Sequence, residues 1–162
     1  MKLDKAIEDV QEAEVQLAKR LRSVGERHAL EADLYHLGHT LARRCAEHLR
    51  ELAPFAERYG ATPATGQVDE SSAVLEALRH KSAELLGRTE LSGLLLLRDL
   101  RDLYLDTQNA EITWVILLQA ARAVRDRELL TVTSACHEEA ETRGKWVRTR
   151  IKEAAPQVMA AG

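Results

Sequence analysis

The sequence predicts an all-α fold: an antiparallel four-helix bundle in one domain, residues 1–162. Three observations carry this. Leu, Ala, Glu and Arg, all strong helix formers, make up 84 of the 162 residues. Apolar residues recur at helical spacing along most of the chain. The predicted elements run long, long, short, long, long, and a bundle with one long crossover needs that order, because its second and third main helices run parallel. Aromatics at 4%, three Pro and two Cys exclude a β-sandwich, a collagen-like chain and a disulfide scaffold.

Leu3, Ile7, Val10, Leu17, Leu21 and Val24 form the first stripe and predict a helix over 3–24. The second stripe, from Leu30 and Leu34 through His48 and Leu52 to Phe55 and Tyr59, is rotated from the first by about 140°. Gly25 sits at this jump and suits the residue just past a helix end. The expectation is a hairpin of helices 3–24 and 27–58; one long helix with a rotating buried face is the other reading. Pro54 predicts a kink or stop near Ala53. Residues 59–69 (YGATPATGQVD) read as a loop.

Val74, Leu75, Leu78, Leu85 and Leu86 predict a short crossover helix over 70–86, with Asp69 as its N-cap and Gly87 as its stop. Thr89 suits the cap of a helix over 90–125, whose leucine-rich first half is apolar on most sides and is expected to be the most buried. Its core arc is Leu96, Leu100, Leu103, Thr107, Ala110, Trp114, Leu117, Leu118 and Ala121. Asp126 suits the cap of the last helix, 127–154, with Leu129, Thr133, Cys136, Ala140, Val147 and Ile151 as its stripe and Pro156 ending it.

Net charge is −3, and nothing in that balance points to nucleic acid. The basic run Arg143, Lys145, Arg148, Arg150 and Lys152 reads as cations complementing a helix C-terminus. Residues 112–121, the longest uncharged stretch in the apolar part, are too short for the roughly 18 residues of a membrane span. Lys2, Asp4 and Lys5 are followed by no apolar run, so no secretory signal is expected. With two Cys 91 positions apart, the expectation is a cytoplasmic protein with reduced thiols.

Residues 42–59 (ARRCAEHLRELAPFAERY) and 136–158 (CHEEAETRGKWVRTRIKEAAPQV) resemble the second and fourth helices of the ferritin-like superfamily, particularly its small bacterial stress proteins. The resemblance implies a di-iron carboxylate site, iron oxidation or storage, and homo-oligomers. It implies a Glu from each of the first and third helices and Glu-x-x-His from each of the second and fourth. Glu14 and Glu111 fall at the first two of these places. The second helix carries Cys45-Ala-Glu-His48, with Cys where the family has Glu. The fourth carries Cys136-His137 and then Glu141, with no Glu-x-x-His. Thiolates favour softer or borderline metals such as zinc or Cu(I) over iron.

A helix rise of 1.5 Å per residue places Cys45 and His48 about 15–20 Å from the end where the last two helices turn, Cys136 and Glu141 about 13–20 Å, and Glu111 about 24 Å. Glu14 lands about 10 Å too high. The candidate metal layer is therefore Cys45, His48, Glu111, Cys136, His137 and Glu141, for iron or zinc. The plainer reading makes the thiols core fillers and His48 a core histidine. A second cluster, His28, Glu31, Tyr35, His36 and His39, lies on the other face of the second helix, and with the resemblance it predicts an oligomer.

No nucleophile–base pair and no phosphate-cradling loop occurs. Two functional classes stay open: a metal- or redox-associated bundle with a modified or lost di-iron site, and a non-catalytic scaffold or protein-interaction module.

Overall fold

Four helices, α1 (Leu3–Arg27), α2 (Ala32–Tyr59), α3 (Glu90–Val124) and α4 (Arg127–Met159), make up nearly all of residues 2–64 and 90–160, which the computed structural model describes. No strand occurs among the described residues. The expected helix at 70–86 and the caps Asp69, Gly87 and Thr89 lie outside them. α1 packs along α2 and α3, α3 packs along α4, and α2 meets α4 only sparsely.

The apolar stripes become the core. Leu3, Ile7, Val10, Leu17, Leu21 and Val24 of α1 are all buried, as is the whole expected arc of α3 from Leu96 to Ala121. Burying one such Leu or Ile side chain contributes roughly 1.5–3 kcal/mol. Asp126 caps α4 as expected, its side chain accepting from the Leu129 N–H at 3.0 Å. Arg125, with φ 58°, makes the two-residue corner between α3 and α4. Gly60, with φ 70°, ends α2 in the left-handed conformation.

Two expected stops, at Gly25 and Pro156, are corrected, while the helix expected over 27–58 does run through Pro54. α1 continues through Gly25 to Arg27, and the turn lies at residues 28–31, where the Glu31 N–H bonds the His28 carbonyl at 2.9 Å. Gly25 instead lies buried against α2: a Cβ there would sit 3.1 Å from the Leu34 carbonyl oxygen, and one on Gly38 would sit 2.8 Å from the Leu21 carbonyl oxygen. The missing side chains let the two backbones approach where α1 and α2 pack. α2 also continues through Pro54, because Phe55 and Ala56 beyond it are buried in the core. Likewise α4 continues through Pro156, with Val158 packed against Gly93 of α3. Each proline removes one intrahelical donor, and tertiary packing outweighs that loss.

The first half of α3 is not the most buried segment. Leu91, Leu94 and Leu105 face outward, more than half exposed.

Two glycine substitutions separate close backbone approach from ordinary packing. Alanine is favoured over glycine within a helix by up to about 1 kcal/mol. Gly38→Ala meets backbone that cannot swing aside, so it is expected to destabilise the protein by about 1–3 kcal/mol. Gly144→Ala meets the end of the flexible Gln108 side chain, with Nε2 at 2.8 Å, and is expected to be neutral or stabilising. Urea denaturation checks both; a Gly38→Ala protein as stable as the parent would show that the hairpin opens there without loss.

Candidate functional site

The bundle interior holds one polar group from each helix at a single point. Glu14 of α1 is fully buried. Its carboxylate accepts from the Trp114 Nε1–H of α3 at 2.7 Å. Arg143 of α4 binds both its oxygens, Nη1 donating at 3.1 Å and Nη2 donating to the other oxygen. His48 of α2 places Nδ1 3.5 Å from Glu14 Oε2 and 3.5 Å from Arg143 Nη1. Its Nε2 pairs at 2.9 Å with Glu139, which also binds Arg44 at the surface. The network thus runs from the core to solvent.

Burial alone would raise the Glu14 pKa, but the Arg143 charge and the hydrogen bonds from His48 and Arg143 outweigh it and hold the carboxyl at about 2. Above the acid range in which Glu14 takes up a proton, the interior therefore carries an ion pair.

The cysteines border this network as thiols. Burial, reinforced by the Glu14 charge, pushes the Cys45 pKa well above its ordinary value, and burial with Glu51 does the same to Cys136. Arg143 Nη1 lies 3.7 Å from Cys45 Sγ, and Cys136 Sγ points to Glu51 Oε2 at 3.7 Å. Metal ligation needs the thiolate, and both environments disfavour it. With Glu14 held by Arg143 and with protonated thiols, the centre of the bundle does not suit a pair of iron ions.

The α3–α4 seam holds a different donor set. Glu111, His137 and Glu141 place one ligand atom each within 4.8 Å of one another. His137 Nε2 lies 3.8 Å from Glu111 Oε1 and 3.9 Å from Glu141 Oε1, too far for hydrogen bonds. That nitrogen is buried and has no hydrogen-bond partner among the described residues. His137 and Glu141 share a face of α4 because they are one turn apart, and Glu111 faces them from α3. Ligand distances of about 2.0–2.2 Å around one ion require the three groups to close in by less than about 1 Å.

Of the six residues expected in one metal layer, Glu111, His137 and Glu141 come together at this seam. Cys45 and His48 lie in the ionic core instead, and Cys136 faces Glu51. Sequence reasoning missed Arg143, read as part of a basic run, although the α4 stripe steps from Ala140 to Val147 and needs an inward residue at 143 or 144 between them. In the second cluster, His28 Nε2 pairs with Asp99 of α3 at 2.7 Å, and Tyr35 meets His36 and His39 edge to face. That cluster is thus partly spent on contacts within the chain.

Among the described residues no helix is long and apolar enough to cross a membrane. No protein-family model, curated protein or solved structure matches this chain.

Proposed function

We propose that this chain is a ferritin-like, antiparallel four-helix bundle that binds one divalent transition-metal ion at Glu111, His137 and Glu141, its di-iron centre replaced by the Glu14–Arg143 ion pair. The carrying observation is the enclosed, unpartnered His137 Nε2 facing two carboxylates. One imidazole and two carboxylates form a hard-to-borderline donor set, suited to zinc, ferrous iron or manganese rather than a soft ion. The convergence of interior polar groups from all four helices supports the ferritin-like reading, since metal sites of such bundles are built from facing helices in that way. The short α1–α2 and α3–α4 connections support the antiparallel one. Two free cysteines and a net charge of −3 suit a cytoplasmic protein that binds neither nucleic acid nor membrane.

The test is metal analysis of protein purified without a His tag, followed by melting with added zinc, ferrous iron or manganese. One equivalent of metal is expected, with stabilisation of about 2.7 kcal/mol at a hundredfold excess over Kd. Affinity falls at acid pH, because all three donors must be deprotonated. His137→Ala and Glu111→Gln abolish binding, while Cys45→Ser with Cys136→Ser leaves metal content unchanged. Absence of both bound metal and any melting shift would defeat the proposal.

A further inference from the structure

We infer that the outer face of α3 is an interface between two copies of this chain, packed α3 against α3 in opposite directions about a two-fold axis near residue 110. Among the described residues six of the eight exposed large hydrophobic side chains belong to α3. Leu91, Leu94, Leu105, Ile112 and Ile116 are each more than half exposed. At 100° per residue they fall within about 60° of one another, opposite the side formed by Leu103, Ala110, Trp114 and Leu117 that fills the core. Between residues 102 and 121 every exposed residue of α3 is uncharged: Leu105, Asn109, Ile112, Ile116 and Gln119. The exposed side of a surface helix ordinarily carries charge, as α4 does with Glu138, Glu139, Lys145 and Arg148.

A second copy fits this face for three reasons. A charged partner would bury its charges against it without counter-charges, so the occupant presents an uncharged helix face of similar length. Among the described helices α3 itself is such a face, and a two-fold axis makes it self-complementary. Pairing about residue 110 sets Leu105 beside Ile116 of the other copy and brings the two Asn109 amides within one helical turn, where they can bond each other. The same register sets the exposed Arg98 at the last turn of the other α3, where the helix dipole favours a cation. The paired length from residue 98 to 123 is about 37 Å. A strip of that length and about 10 Å width covers roughly 370 Å² per partner before its flanks, smaller than the roughly 800 Å² of a standard interface and in the range of a weak, reversible dimer.

The experiment is light scattering of the untagged full chain at about 1 mM, a concentration at which a dimer with Kd below that value is mostly associated. The parent is expected at twice 18.1 kDa. Ile112→Glu with Ile116→Glu is expected at one chain mass with unchanged helical circular dichroism, since neither side chain is in the core. Asn109→Cys is expected to give a disulfide-linked dimer on oxidation, while Thr131→Cys, exposed on α4, is not. A one-chain mass for the parent, or a dimer that survives the double substitution, overturns the interface. A dimer that dissociates on double substitution but never cross-links through Asn109→Cys overturns the two-fold register. Metal content, read in the same samples, is expected to stay constant, which keeps this outcome separate from that of the α3–α4 seam.

Discussion

Arg143→Met is expected to lower unfolding free energy by about 3–5 kcal/mol, the loss seen when one partner of a buried ion pair is removed. Methionine roughly conserves volume, so the effect is electrostatic. The Glu14 carboxylate would remain fully buried with Trp114 as its main donor, and its charge would have no adjacent guanidinium. Adding Glu14→Gln to Arg143→Met removes the orphaned charge while keeping an acceptor for the Trp114 N–H, and is expected to recover most of the loss. Urea denaturation of parent, single and double variants forms the cycle. An Arg143→Met protein within about 1 kcal/mol of the parent would show that this pair does not hold the four helices together.

The same pair shows where the sequence was legible. Helix positions followed from apolar periodicity, and the α3 arc from Leu96 to Ala121 is buried as its 100° spacing requires. What misled was punctuation. Gly25 marks a close backbone approach rather than a stop, so the turn lies several residues later. With α1 ending at Arg27 and α2 starting at Ala32, Glu14 falls about 21 Å above the end of α2, level with Cys45 rather than about 10 Å too high. That shift brings Glu14 into contact with His48 and Arg143. Spacing indicated that polar groups would share a level, but not that a guanidinium would stand among them, because a charged residue in a basic run reads as surface. Likewise the apolar excess of α3 did not reveal that part of it faces outward, since hydrophobicity on all sides of a helix is also the pattern of deep burial.

Acid is expected to strip the protein of stability mainly through Glu14. Its folded pKa, about 2, lies below the ordinary 4.5. The stabilisation is therefore present above about pH 4.5 and is lost as pH falls through that value toward 2. By linkage that difference corresponds to roughly 3 kcal/mol, a sizeable share of the 5–15 kcal/mol typical of a domain. Glu139 and Asp126 are also held low. Burial opposes the shift at both, and it is outweighed by Arg44 and His48 at Glu139, and by the Leu129 N–H, Tyr59 and Arg58 at Asp126. Both act nearer the surface, where solvent screening reduces their contributions. Glu14→Gln therefore isolates the buried carboxylate. The variant is expected to be less stable than the parent at pH 7, with the difference shrinking below about pH 4.5 as the parent loses its advantage. Chemical denaturation midpoints between pH 7 and 2 measure this, and parallel curves for parent and Glu14→Gln would place the acid sensitivity outside the core. If the curves converge instead, the pH at which they meet locates the proton uptake at a carboxylate that Arg143 keeps ionised inside the bundle.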